Sequence, residues 1–425
     1  MAVNFPRPGD AAGGDPPAGG AGPANSQPLQ FNPDDLAYIE NPYPTYRYLR
    51  EHAPAYWWEA GRAWVFSRYA DVVAILREPR FSMDFQDWEH AQRRSGEEES
   101  EFGRLIAKAL FTLPPGEHAR VRRLVGRVFT PRALEWVREP TQAIVDAHLP
   151  DANRTTTFDL AREFADPIPL RVIGAMLGMT GELEAPFLRF GESVSGAARP
   201  GLDSAEHDRV LAPFPEALAV LRGVIETRRL QPGTDVLSAL VQVTDGDDRL
   251  SDDEIIELVM ALVTAGTETV THLICFTVMT LLRHPDQLAL LRREPTLMRN
   301  ALSEVLRFDS FPKNGVARFA LADVEIRGVT IRKGQMVFPL LPAALHDPDV
   351  FPDADVFDIR RDQTDNISFG TGLHHCIGAP LARLEAEIAV GALLDRFPGL
   401  ALAGKPLHAR HPLLRKISSL PLRLS

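Results

Sequence analysis

With 425 residues, a formal net charge of −11 and two cysteines, the chain is long enough for one large domain or several smaller ones. It is too acidic for a general nucleic-acid binder, which needs a basic surface to neutralise phosphate. Two cysteines exclude a disulfide framework, and a structural zinc site would need ligands that the chain does not cluster.

Residues 1–29 are dominated by Gly, Pro and Ala with no sustained apolar run, so they read as a disordered tail rather than a signal peptide. A soluble cytoplasmic protein is expected, with one domain over residues 30–425. Tyr43 to Arg50 looks helical, and Ala55 to Ser67 carries two aromatic and β-branched runs around Ala60-Gly61, which suggests a hairpin. From Ala70 to about Phe308 helical periodicity dominates, broken near Gln86 to Glu101, Ala197 to His207 and Asp245 to Leu250. Alternation around Gly328 and Gly334 indicates short strands, and a final strand pair is expected at Ile417 to Leu424. The fold class is therefore mainly α with a minor β region, in a single large helical domain.

Several constellations along this frame carry chemistry. His118 and Arg122 stand four apart on one helix face, suited to an anionic group or to plain surface. Ser251 and Glu254 have capping-box spacing and open a helix of roughly 30 residues, or ~45 Å, to Arg283 before Pro285. It is the one stretch that resembles a membrane span, but Glu257, Glu268 and His272 interrupt it, so it reads as a buried core helix and no membrane anchor is expected. At its centre Ala265-Gly266-Thr267-Glu268-Thr269 sets small residues beside an acid and an alcohol. Glu268 and Thr269 can relay protons in a dry site, while the bland alternative is a hydroxyl bonded back to its own helix. Glu304 and Arg307 have i,i+3 spacing, which on an exposed face means little. Cys376 lies in the run Phe369 to Arg383, FGTGLHHCIGAPLAR. Gly370, Gly372 and Gly378 permit unusual backbone angles and close approach of a flat ligand. Pro380 opens a helix whose N-terminus favours an ionised sulfur.

The run FGTGLHHCIG resembles the haem-binding loop of the cytochrome P-450 superfamily, with Phe369, Gly370, Gly372, His374, Cys376 and Gly378 at the constrained positions. Ala265, Gly266, Glu268 and Thr269 resemble that family's oxygen-activating segment. Glu304 and Arg307 match its Glu-x-x-Arg, Phe357 to Arg360 resembles the segment that packs with them, and His118 and Arg122 match its His-x-x-x-Arg helix. Leu113 to His118 departs from the usual Asp-Pro-Pro-x-His. The resemblance runs from about Asn41 to the C-terminus.

It implies haem b with Cys376 as axial thiolate, shielded by Phe369, and His118, Arg122, Arg318 and His374 toward the propionates. Glu304 and Arg307 become a buried structural pair. Thr269 and Glu268 become the proton-delivery residues, and Ala265, Asn314, Val316, Leu413 and Leu414, with residues of Phe81 to Phe111, the lining of a pocket for a hydrophobic small molecule. The stretch Ser195 to Ser204 is expected to be a mobile lid. The implied activity is insertion of one atom of O2 into a C–H or C=C bond by a monomer. Electrons come from an external ferredoxin and ferredoxin reductase, and so indirectly from NAD(P)H, because the chain has neither a Rossmann fingerprint nor an iron–sulfur cysteine cluster. Arg120, Arg123, Arg127 and Arg383 are candidates for a basic docking patch. Two other readings stand beside it: a haem-thiolate protein acting on carrier-bound substrates or sensing a ligand, and a non-haem enzyme with Cys376 as nucleophile beside His374 or His375.

Overall fold

The computed structural model describes residues 31–91, 100–153, 155–197 and 202–424. The expected tail at 1–29, the middle of the expected lid at 198–201 and part of the 81–111 stretch lie outside the described residues. The core is organised around the helix Asp252–Arg283. Ser251 and Glu254 form the capping box: Glu254 N donates to Ser251 Oγ at 3.2 Å and Ser251 N to Glu254 Oε2 at 2.7 Å. Asp252, Asp253 and Glu254 in the first turn also suit the positive end of the helix dipole.

Every residue of this helix from Val270 to Leu281 is buried, because Pro167–Met176, Met298–Phe308 and Ala379–Arg396 all pack on it. Among the described residues it is the one helix long and apolar enough to cross a membrane, and it runs through the interior of the domain. Around Ala261 to Thr269 burial breaks: Ala265 is exposed, and Thr264, Gly266, Glu268 and Thr269 are half-buried. An apolar core helix with one open stretch positions whatever lies against that stretch.

A five-stranded sheet lies beside the helices, in the order Ala55–Trp58, Ala63–Phe66, Met336–Pro339, Arg318–Ala320, Phe81–Ser82. Ala63–Phe66 and Met336–Pro339 run parallel, and the other neighbours are antiparallel. The expected hairpin at 55–67 is its edge. Val324–Ile326 and Val329–Ile331 form a separate hairpin whose turn residues Arg327 and Gly328 both have positive φ, 51° and 72°.

Two expectations are corrected. Lys416–Ser419 and Pro421–Arg423 are strands but do not pair with each other: the first pairs with Leu407–Ala409, and the second lies between Ala401–Leu402 and Thr157–Asp159. The single residue Leu420 between them is too short for a hairpin loop, so the chain crosses into a second sheet. The expected break at Ala197 to His207 also ends early, because Asp203 and Glu206 form a capping box that starts the helix Ser204–Leu211.

Candidate active site

The loop carrying Cys376 is shaped by glycine. Gly370 and Gly372 have φ of 75° and 73°, and a Cβ at Gly372 would stand 2.9 Å from the Leu76 carbonyl oxygen. Cys376 N donates to Phe369 O at 2.9 Å and Gly370 N to Ile367 O at 2.7 Å, which closes the loop ahead of the helix Ala379–Arg396. The Phe369 ring packs against the main core with the Arg383 guanidinium 4.4 Å from its centroid. The Cys376 side chain is open to solvent on one side and crowded by protein on the others. Burial on those sides pushes the thiol up, against the N–H groups of Gly378 and Ala379 and the charges of Arg122 and Arg383, which draw it down.

Beside the sulfur the structure gathers basic groups from three separate segments. His118, on the helix Pro115–Val128, is buried with its ring centroid 4.4 Å from that of His374. Its Nδ1 has no hydrogen-bond partner. Arg318, at the start of its strand, is buried too and donates only to the carbonyls of Val316 and Ala317, both at 3.1 Å. His118, Arg318 and His374 line one cleft with Leu76, Pro115 and Leu373. Arg122 reaches the same loop, where it donates to the His375 carbonyl. Burial lowers the Arg318 guanidinium to about 10, and burial with Arg318, His118 and Arg122 lowers His374 to about 3. His118 is lowered by burial and by Arg122. Glu78 lines the same cleft but is bonded to Arg80, and among the described residues no ion pair joins a carboxylate to His118, Arg122, Arg318 or His374, so the cluster suits an anionic ligand.

Across the open stretch of the central helix, Thr269 Oγ1 donates to the Ala265 carbonyl at 2.6 Å, so the bond back to its own helix is present. The Glu268 carboxylate is held between Lys416 Nζ at 2.6 Å and His411 Nε2 at 3.1 Å. The bond from His411 and the contacts with Lys416 outweigh burial and lower it to about 2. Of the expected pocket residues, Ala265, Val316 and Leu413 present accessible surface. Asn314 and Leu414 do not. Asn314 is buried with its Oδ1 3.4 Å from the Tyr38 hydroxyl, and Leu414 is part of the main core, bridged to Pro312.

Glu304 and Arg307 form a bidentate pair with both side chains fully buried, at 2.8 and 2.9 Å. Arg307 also donates to the carbonyls of Leu345, Ala354 and Val356, and Glu304 accepts from Asp358 N, Arg361 Nε and Gln363 Nε2. Within the expected packing segment, Arg360 instead faces outward to Glu294, and it is Arg361 that turns in. The expected basic patch is largely neutralised. Arg120, Arg123 and Arg127 pair with Asp245, Asp248 and Glu254, because the hairpin of Thr244–Asp245 and Asp248–Arg249 folds over that helix.

Residues 217–412 match the family model described as Cytochrome P450. The chain is 43% identical over 396 residues to the epothilone C/D epoxidase of Sorangium cellulosum, covering 92% of this chain and 94% of that one. It is 36% identical over 398 residues to the 6-deoxyerythronolide B hydroxylase of Saccharopolyspora erythraea, covering 90% and 96%. The crystal structure of epothilone D-bound cytochrome P450epoK superimposes with a TM-score of 0.84 at 42% identity, covering 93% of this chain and 99% of that one. The chain belongs to the cytochrome P450 family. It is thus a haem-thiolate monooxygenase that inserts one atom of O2 into a hydrophobic small molecule, and the reading of the chain as a non-haem enzyme with Cys376 as nucleophile falls. The residues present fit the P450 cofactor: an accessible thiol at a helix N-terminus stands beside basic groups that lack an acid, as an iron porphyrin with two propionates requires.

The motifs did not reveal what holds Glu268. His411 and Lys416 lie on the C-terminal hairpin, 148 positions from the acid in the case of Lys416. A signal existed in the cationic run His408 to Lys416, which holds two histidines, two arginines and a lysine and so needs carboxylate partners wherever it is buried. Arg361, next to the expected Phe357 to Arg360 segment, was likewise passed over.

Proposed function

We propose that this P450 hydroxylates or epoxidises a large apolar polyketide-type ring, with Ala265, Val316 and Leu413 on the wall of the substrate pocket. The observation that carries the reading is the open stretch Ala261 to Thr269 in an otherwise buried helix, which presents Ala265 and Thr269 together. The names of the epothilone and 6-deoxyerythronolide relatives support the size and class of ligand. Cys376 would hold the iron, and His118, Arg122, Arg318 and His374 the propionates. When bound, haem supplies oxygen activation, and its thiolate ligand favours O–O cleavage.

Thr269 is the residue placed to move a proton. Its hydrogen is given to Ala265 O, so its oxygen lone pairs accept from the open side. Glu268, expected as a second donor, is ionised and held on both oxygens, so it serves as an acceptor and anchor. Electrons are assigned to an external ferredoxin and reductase, since Cys376 is taken for the haem iron, Cys275 is buried, and the described residues gather no His/Cys/Asp/Glu group that could hold an iron–sulfur cluster. With Arg120, Arg123 and Arg127 internally paired, Arg383 and the surface around the Cys376 loop are left as the docking candidates. A monomer, one domain over residues 30–425 and a reducing cytoplasmic setting for the two free thiols belong to the same proposal.

The test is a titration of the holoenzyme with epothilone D, 6-deoxyerythronolide B, a steroid and a fatty acid, read as the Soret shift on displacement of iron-bound water. It is followed by turnover with a surrogate ferredoxin and reductase. Tightest binding and oxygen-dependent product with a macrolactone support the proposal; a clear preference for the fatty acid or steroid removes it.

A further inference from the structure

The loop 410–415 joins the strands Leu407–Ala409 and Lys416–Ser419, and His411 sits at its centre. His411 Nδ1 accepts from the backbone N–H of Leu413 at 3.2 Å and of Leu414 at 3.1 Å. Its Nε2 stands 3.1 Å from Glu268 Oε2. An Nδ1 that accepts two N–H groups carries no hydrogen, so the ring proton is on Nε2 and is donated to the carboxylate. Both faces of the ring therefore specify the same neutral tautomer.

Other bonds hold the ends of the loop. Lys416 Nζ is on the other Glu268 oxygen at 2.6 Å, and His272, one turn further along the helix, accepts from Ile417 N at 3.2 Å. Lys313 N donates to Leu413 O at 2.9 Å and Arg415 N to Phe311 O at 2.7 Å, tying the loop to the segment that leads to Val316. Lys416 and Ile417 fix where the loop leaves, and Lys313 holds the Leu413 carbonyl from the other side. Among the described residues, it is the His411 ring that joins the Leu413 and Leu414 N–H groups to the helix turn bearing Ala265 and Thr269.

We propose that His411 is a positioning residue of the active site. By bridging the Glu268 carboxylate to the backbone of Leu413 and Leu414, it sets where the Leu413 side chain stands in the proposed pocket and so which part of a substrate is presented for oxidation. The proposal rests on the placement of Leu413 in the pocket made above. It makes Glu268 the anchor of the pocket wall, through a residue that no motif of the family singles out in this sequence.

Two substitutions divide the two halves of the ring. His411→Asn keeps an acceptor where Nδ1 stands and loses the donor to Glu268, whereas His411→Gln places an N–H where Nε2 stands. The holoenzyme is titrated with imidazole, which needs only access to the iron, and with 4-phenylimidazole, whose ring also reads the pocket wall, each followed by its Soret shift. We expect His411→Asn to weaken 4-phenylimidazole about tenfold relative to imidazole, the scale of one lost charge-assisted hydrogen bond, with haem content and Tm retained. His411→Gln, which keeps the donor to Glu268 but loses the acceptor of the Leu413 and Leu414 N–H groups, is expected to weaken 4-phenylimidazole relative to imidazole as well, because the bridge needs both halves. An unchanged ratio in His411→Asn overturns the proposal, as does equal weakening of both ligands with loss of haem. Leu413→Ala separates the premise: if it leaves the ratio unchanged, Leu413 is not in the pocket, whereas an effect of Leu413→Ala beside a wild-type His411→Asn keeps the pocket and removes only His411.

Discussion

Thr269 shows how one hydroxyl serves the helix and the chemistry together. Its bond to Ala265 O satisfies the donor and leaves the acceptor side toward the open stretch, so Thr269→Ala removes the relay without unsettling the helix. We expect product per NAD(P)H consumed to fall roughly tenfold, a modest share of what a positioned proton-transfer group supplies, with the difference recovered as hydrogen peroxide. Haem content and substrate affinity should stay within about twofold; unchanged product-to-cofactor stoichiometry would remove Thr269 from the mechanism. Gly372 makes a harsher prediction. At φ 73°, with the Leu76 carbonyl oxygen 2.9 Å from where a Cβ would stand, Gly372→Ala meets both left-handed strain and backbone contact. Haem incorporation, read as the Soret-to-280 nm ratio, should drop by at least half, and full incorporation would show that the loop can shift. Cys376 stood out in the sequence through its glycine-rich loop, whereas His118 and Arg318 entered as cofactor candidates only through the family resemblance. The grip of His411 and Lys416 on Glu268 was not legible, because it depends on how the C-terminal hairpin docks.

For the helix Met298–Phe308 the decisive fact is what covers it. Glu304 and Arg307 have the same i,i+3 spacing whether their face meets water or protein, so spacing carried the pair, and the expectation of its burial came only with the family resemblance. The segment 345–363 closes over that face, and each guanidinium and carboxylate position is then met by a carbonyl, an N–H or Arg361. Removing one partner leaves an uncompensated buried charge, worth about 3–5 kcal/mol against a total stability of about 5–15. Glu304→Ala should therefore lower the urea midpoint sharply and release haem. The double variant Glu304→Leu with Arg307→Met should be less destabilised than Glu304→Ala, since it removes the fully buried Arg307 charge as well and leaves only Arg361 without its carboxylate. If the double variant is worse than Glu304→Ala, the pair acts through its hydrogen bonds to the 345–363 segment rather than as mutual charge compensation. The C-terminal strands taught the complementary lesson: alternation located them correctly, but partner choice followed from the one-residue link at Leu420, which sends them to different sheets.

Across the whole molecule, buried neutral histidines and the buried carboxyl of Glu257 pull the pH response of stability in opposite directions. His118, His374 and His375 are lowered within the basic cluster, where a bound dianionic cofactor acts against the shift. His272 and His346 lie in other contacts and are each lowered to about 4, burial being the main cause in both. In the unfolded chain a histidine titrates near 6.5, so between about 6.5 and 4 the unfolded state binds more protons. The contribution of these histidines is therefore complete above that window and falls as the pH drops through it, while Glu257, raised to about 7 by burial, contributes with the opposite sign between about 7 and 4.5. The slope is about 1.4 kcal/mol per pH unit for each histidine in mid-window. Glu268, lowered from 4.5 to about 2, adds loss of the same sign as the pH falls through that interval, so it overlaps only the acid end of the histidine window. His346 packs its ring against Tyr43 and Phe308 and bonds only to the Pro342 carbonyl, at 3.1 Å, so phenylalanine preserves its packing while removing the proton site. Urea unfolding of the holoenzyme at pH 7, 6 and 5 should show His346→Phe less acid-sensitive than the wild type, by about 1.4 kcal/mol per unit between pH 6 and 5. Parallel pH profiles for the two proteins would mean that His346 is already protonated in the folded state.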